Sequence, residues 1–308
     1  MVKHLDGILR GLRKGAPAAV SQLIRLAYGQ GAAVAAADVR DAGLTAAVST
    51  FGKVQDTAAQ VALARAAVEP LDGMTMQVRR WVLDTYAETG LRVASGVLTG
   101  TSARRQASAR ILQQLAGKGV TGFRDRAGRS WEMGAYGEMV GRTTAAQAAV
   151  QGHADRLTAL GVDTVLVSNA PEECKQCRKW EGRVLSLTGK TSGRLSDGVT
   201  VAGTLAEAKA DGLFHPNCRH RTTVYLPGVT RPLRDTADPE GDTLRQQQRA
   251  RERRIRDLKR REILTEHTDP AAHAAAKAAR RKAEDDFSAW REEHDRKNLS
   301  YRTNLKTR

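Results

Sequence analysis

Residues 213–228 read LFHPNCRHRTTVYLPG, with two histidines, a cysteine and two arginines in seven positions and then an abrupt change to a strand pattern. Arg221–Leu226 is rich in the β-branched and aromatic residues that suit a half-buried pleated surface. The other two of the three cysteines lie upstream in PEECKQCRKWEG, residues 171–182. That stretch is flanked by two more strand patterns, Asp163–Ser168 (closed by Asn169-Ala170-Pro171) and Gly182–Leu187. If these strands pair, the two cysteine-bearing loops can converge.

Working outward, Thr204-Leu205-Ala206-Glu207 has the form of a capping box and predicts a short helix to about Ala210, ended by Asp211-Gly212. VTGFRDRAGRSWEMG predicts a small hairpin around Asp-Arg-Ala-Gly. A helix from about Gly134 to Leu160 follows it. Residues 119–228 therefore read as a compact α+β core with a small sheet. Residues 1–118 read as a helical arm of alanine-rich segments. In the arm, Pro17 opens a helix, Gly29 and Gly31 loosen it, and Pro70 with Gly73 separates the next pair. Trp81 and Tyr86 read as core packing. The arm's narrow apolar faces and few aromatics predict helices that order on a partner. Residues 229–241, with Pro232 and Pro239, read as a linker, and 242–308 as a charged, basic helical extension.

No stretch approaches the roughly 18 apolar residues of a membrane span. The N-terminus lacks the apolar core and cleavage site of a signal peptide. Three cysteines, two of them in a CxxC, do not make a disulfide framework, so the thiols are expected to stay reduced in a cytoplasm. A formal charge of +16 points to a polyanionic neighbour, nucleic acid before an acidic protein surface.

Zinc needs three or four soft or borderline ligands in a tetrahedron. Cys174 and Cys177 supply two from one turn, Cys218 a third, and His215 or His220 the fourth. A thioredoxin-like use of the CxxC is disfavoured because Lys179-Trp180-Glu181-Gly182 leads towards a strand, not into a helix whose dipole would lower the thiol pKa. His215 and His220 with Arg219 and Arg221 form the rival set, an acid–base and phosphate-binding group of a nuclease, but no partner acid is evident. Thr188-Gly189-Lys190-Thr191-Ser192 imitates the end of a P-loop and fails it, because Val184 stands where glycine is required. Between Arg245 and Arg261 nine Lys/Arg face two acids, a local net charge of +7. Arg249, Arg251, Arg253, Arg254, Arg256, Lys259, Arg260 and Arg261 are the candidate phosphate contacts. No base-reading motif accompanies them, so binding to DNA is expected to be independent of sequence.

Four stretches in order carry a family likeness: GFRDRAGRSWEMGAYGEMVGRTT (122–144), VLVSNAPEECKQCRKWEGRVLSL (165–187), DGLFHPNCRHRTTVYLPG (211–228) and LRQQQRARERRIRDLKR (244–260). Together they resemble phage minor capsid protein 2, a family related to the Mu F-like head-morphogenesis proteins. The likeness runs from about residue 120 to 300. It implies a Mu F-like α+β core in a non-enzymatic minor head protein of a tailed phage. The protein would sit in the virion, inside the head near the portal, and in the host cytoplasm during assembly. Implied partners are the portal, capsid or scaffold proteins and packaged double-stranded DNA. In the related proteins the positions matching Cys174, Cys177, Cys218 and His220 tend to carry cysteine or histidine. The resemblance thus favours His220 as the fourth zinc ligand, with His215 as the alternative. The rival implication is a nuclease or toxin effector built on the same core and using His215 and His220.

Overall fold

Alanine-rich sequence carries helix α1 unbroken from Val2 to Asp41, straight through Pro17, and helix α2 from Ala58 to Leu98 through Pro70 and Gly73. The breaks expected at these residues do not occur. Each proline removes one backbone hydrogen bond, but the flanking residues are strong helix formers. Packing holds α1 as well. Ile24, Tyr28, Ala32, Ala35 and Val39 recur at steps of three and four and are all buried. The structure, a computed structural model, describes residues 2–43, 58–98, 122–124, 130–231, 237–266 and 269–305.

Strands β1 (Gly122–Arg124) and β2 (Ser130–Glu132) pair antiparallel with Phe123 opposite Trp131, which is the expected hairpin. Helix α3 spans Met133–Ala159, followed by β3 (Thr164–Val167), the one-turn helix α4 (Lys175–Arg178), β4 (Val184–Ser186), β5 (Val201–Thr204), α5 (Leu205–Ala210) and β6 (Thr222–Val224). The sheet order is β5-β4-β3-β6, with β3 antiparallel to both β4 and β6 and β4 parallel to β5. Central β3 is buried at every residue, which is why Thr-Val-Leu-Val reads as a continuous apolar run. Val165, Val167, Leu185 and Val224 face α1, α3 and α5. Leu166, Val184 and Tyr225 pack on the other face beneath Leu195, Val199 and Val201. At α5 the Thr204 hydroxyl accepts the Glu207 N–H while the Glu207 carboxylate accepts the Thr204 N–H, so the capping box is complete.

The chain packs as two units, Lys3–Thr75 with Gly134–Asp242 and Met76–Met133 with Thr243–Arg308. This corrects the expected division into an arm 1–118 and a core 119–228, because α1 is part of the body that holds the sheet. Ile24, Ala27 and Tyr28 pack with Ala148 of α3 and against Leu63 and Ala64 of α2. The α1 and α3 backbones touch. A Cβ on Gly31 would lie 2.7 Å from the Ala149 carbonyl carbon, and one on Gly152 2.8 Å from that of Tyr28. Gly31 is thus a packing residue, not a loosening one. Polar clasps flank the crossing. The Tyr28 hydroxyl donates to Asp155. Buried His153 lies 3.1 Å from Asp38 and 3.2 Å from the Thr222 hydroxyl, and the Val224 N–H donates to Asp38 at 3.4 Å.

The Thr188–Thr191 turn that imitates a P-loop is filled from within. The Asp163 carboxylate accepts the Ser186 and Thr188 hydroxyls (2.8 and 2.7 Å) and the Thr188 and Thr191 N–H groups (2.8 and 3.0 Å). Burial alone would raise this carboxyl, but the hydrogen bonds from Thr191, Thr188 and Ser186 outweigh it and hold it down to about 2, from 3.8. A depressed folded-state pKa contributes stability above the unfolded value that is lost as pH falls through the folded one. Asp163→Asn is therefore expected to cost about 1–2 kcal/mol at neutral pH. In urea melts the gap from the unaltered protein should close between about pH 4 and pH 2. A gap that persists at pH 2 would show that the anion is not its source.

In the second unit, helix α6 (Pro239–Thr265) packs its Thr243–Thr265 part against α7 (Pro270–Glu293) through Ile255, Ala283, Phe287 and Trp290, with Leu244 and Leu258 at the margin. Asp269 caps α7 by accepting the Ala272 N–H, and Pro270 occupies its first turn. No helix among the described residues is long and apolar enough to cross a membrane.

Candidate metal centre

Both cysteine loops lie at the end of the sheet where β3 finishes. Cys174 is the N-cap of α4, and its carbonyl accepts the N–H groups of Cys177 and Arg178, both at 3.1 Å. The turn differs from expectation in being helical, though only one turn long. Cys218 follows the His215-Pro216-Asn217 bend, where its N–H donates to the His215 carbonyl at 2.9 Å. Non-glycine residues with left-handed backbone precede these donors: Glu172 (φ 59°), Phe214 (φ 62°) and Asn217 (φ 66°). Such conformations cost of order 1–3 kcal/mol each and persist only where the surroundings fix them. Helix α3 supplies part of that fixing, one turn apart on one face. The Gln147 amide donates to the Phe214 carbonyl at 3.0 Å, and the Thr143 hydroxyl accepts the Asn217 N–H at 3.1 Å.

The structure brings all five sequence-selected donors together as two triads sharing Cys177. Cys174, Cys177 and His215 form one, and Cys177, Cys218 and His220 the other, with the ligand atoms of each within 4.8 Å of one another. The Cys177 and Cys218 sulfurs are 3.6 Å apart. His215 Nε2 lies 2.9 Å from the Cys174 sulfur, while its Nδ1 lies 2.8 Å from the Pro216 carbonyl. With the proton on Nδ1, the Nε2 lone pair faces the thiols, the arrangement metal-binding histidines adopt. His220 meets Cys218 through Nδ1 at 3.4 Å, and its Nε2 faces Glu181 Oε2 at 3.7 Å. Those two atoms are buried and lack a hydrogen-bond partner, so a small ring shift towards a metal would let them meet. Three thiols, two imidazoles and an orphaned carboxylate–histidine pair fit zinc well.

Electrostatics support the same chemistry. The hydrogen bond from Cys177, reinforced by His220, holds the Cys218 thiol down to about 4 against its burial. Cys177, hydrogen-bonded to Cys218 and buried, is pushed up. Burial alone would lower His220, but Cys218 and Glu181 raise it. Metal binding would displace the thiol protons of the cluster.

Three further residues escaped the sequence reading. Glu181 anchors the site by accepting the Ala170 N–H at 2.8 Å. The Glu173 side chain is 0% exposed, pairs with Arg178 and accepts the Asp238 N–H at 2.9 Å. Burial would raise Glu173, yet these partners hold it below the ordinary carboxylate range. Asp211 pairs with Lys179 and accepts the Trp180 indole N–H. All three are acids two residues from a Lys or Arg in sequence, a pattern that reads as solvated surface unless the fold is known.

The eight candidate phosphate contacts on α6 divide. Arg249 pairs with buried Glu252 at 3.1 Å, Lys259 with Glu284 at 3.4 Å and Arg260 with Asp257 at 2.8 Å. Arg251 lies over the Trp290 ring, 4.5 Å from its centroid, and Arg256 donates to the Arg302 carbonyl. Arg253, Arg254 and Arg261 are exposed and have no acidic partner among the described residues.

Residues 20–291 match the family described as phage minor capsid protein 2. The chain belongs to that family. No curated protein and no solved structure matches it. For a phage minor capsid protein the setting is the virion and the partners are other virion proteins. The matched span takes in most of α1, both cysteine loops, the whole of α6 and nearly all of α7.

Proposed function

We propose that this minor capsid protein is a non-enzymatic component of the head interior, associated with the portal and the packaged genome. Its first unit is a Mu F-like core cross-linked by zinc. Cys174, Cys177, Cys218 and His220 hold the metal, and His215 is the alternative fourth ligand. Zinc supplies a redox-inert tetrahedral cross-link between the two loops. The α6–α7 hairpin faces DNA through Arg253, Arg254 and Arg261, the cations its own acids leave unpaired. The observation that carries the reading is the family match over residues 20–291, which spans the donor set and the basic helix together. Against the nuclease alternative, the Nδ1 of His215 turns to the Pro216 carbonyl and not to an acid.

Purified particles provide the test. The protein should be present in DNA-filled heads, withstand external protease until the heads are opened, and co-purify with the portal from an assembly lysate. Digestion on intact heads, or absence from particles that package normally, would overturn the placement.

A further inference from the structure

At the metal-bearing end of the sheet, two acid side chains are buried while most of the bases are exposed. The stretches 171–183 and 211–221 hold six cations (Lys175, Arg178, Lys179, Arg183, Arg219, Arg221) and four acids (Glu172, Glu173, Glu181, Asp211). Three of the acids are spent locally. Glu173 is buried on Arg178, the Glu181 side chain is 2% exposed and faces His220, and Asp211 takes Lys179 and the Trp180 indole. Lys175, Arg183 and Arg221 are exposed and have no acidic partner among the described residues. Arg219 is exposed too, and among the described residues it donates to the Pro171 carbonyl.

Backbone pairing puts these residues side by side. The Val167 N–H donates to the Arg183 carbonyl at 3.0 Å. The next residue, Ser168, donates to the Arg221 carbonyl at 2.9 Å and accepts the Arg221 N–H at 3.0 Å. Arg183 and Arg221 thus flank the last residues of β3, with Arg219 reaching back to Pro171 and Lys175 on the first turn of α4. The strands and the α3-bound bend hold all four, so little ordering is needed before they meet a ligand. Three of the four are arginine, whose planar fork suits phosphate oxygens.

We infer that this end of the sheet is a second phosphate-contacting surface, which binds the backbone of duplex DNA without regard to sequence. The inference deepens the genome-associated reading above and rests on it. Each phosphate contact releases condensed counterions, so the slope of log K against log salt counts the contacts at about 0.9 per phosphate.

The test uses the full-length protein and a short duplex of arbitrary sequence. Lys175→Gln/Arg183→Gln/Arg221→Gln should reduce the slope by about 2–3 and leave the melting temperature unchanged, because none of the three side chains has an acidic partner among the described residues. Arg183→Lys/Arg221→Lys should restore most of it. In parallel, Arg253→Gln/Arg254→Gln/Arg261→Gln reports on α6. A slope unaltered by the first set but reduced by the second removes this surface and keeps the α6 reading. Unaltered protein that does not bind duplex at all removes both. If poly-glutamate of equal charge displaces the duplex from the unaltered protein but not from the first variant, the surface belongs to an acidic protein and the phosphate assignment fails.

Discussion

Gly31→Ala should destabilise the protein, while Gly29→Ala, two residues earlier on the same helix, should stabilise it. Alanine in place of an exposed helical glycine ordinarily gains about 0.5–1 kcal/mol. Gly29 is exposed and has open space around its Cα, so it should show that gain. At Gly31 the new Cβ meets the Ala149 backbone, which cannot turn aside as a side chain would. Either α1 lifts off α3, parting Tyr28 from Asp155 and Asp38 from His153, or both helices bend. Overpacking of this kind costs about 1–3 kcal/mol, and more where backbone must move. Leucine at Gly31 or Gly152 should cost about 3 kcal/mol or more, lowering the melting temperature by roughly 10 °C for a unit of this size. Equal, positive shifts for Gly29→Ala and Gly31→Ala in thermal and urea melts would show that the two helices are not in backbone contact.

Removing the metal should have an effect of similar size. Purified protein is expected to hold about one zinc per chain. A ligand bound to the folded state alone contributes about 4 kcal/mol when its free concentration is a thousand times Kd. Chelation, or Cys177→Ser, should then lower the melting temperature by roughly 8–16 °C. Cobalt in place of zinc should give the visible absorption of a tetrahedral thiolate site, and Cys177→Ser should abolish it. Metal displaces thiol protons, so its affinity should weaken as pH is lowered. His220→Ala should release more metal than His215→Ala if the buried imidazole is the fourth ligand, and the reverse order would transfer the role to His215. Identical melts with and without chelator, and no metal by elemental analysis, would leave only a cluster of thiols.

The sequence carried the sheet and the donors, because both announce themselves locally. Val165-Leu166-Val167 and Val184-Leu185 are β-branched or apolar runs between turn residues, and Thr204…Glu207 is a reciprocal cap. Cysteine and histidine are few enough for two clusters to stand out. β5 was missed because it is four residues long, contains Gly203 and merges with the cap of α5. The seat of α1 was missed for a different reason. Its partners Asp155, His153 and Val224 lie more than a hundred positions away, and no local pattern encodes such a distance. The holders of the metal loops, Thr143, Gln147, Glu173 and Glu181, are polar residues whose default reading is solvent. Which arginines of α6 stay free was equally hidden, because Glu252 turns inward and Glu284 comes from another helix.

The seat of α1 also dictates an order of events during synthesis. The helix is made before its partners: Asp155 follows Tyr28 by 127 residues and Val224 follows Asp38 by 186. A ribosome adding about 5–20 residues per second needs on the order of ten to forty seconds to deliver those partners. Until then Ile24, Ala27 and Tyr28 have Leu63 and Ala64 of α2 to pack on but not Ala148 of α3. The first unit closes only once β6 is available. Closing that unit therefore waits on contacts between distant parts of the chain, which form later than local ones. For a virion subunit, that interval is when a chaperone or a neighbouring assembly partner can reach a surface that the folded unit buries.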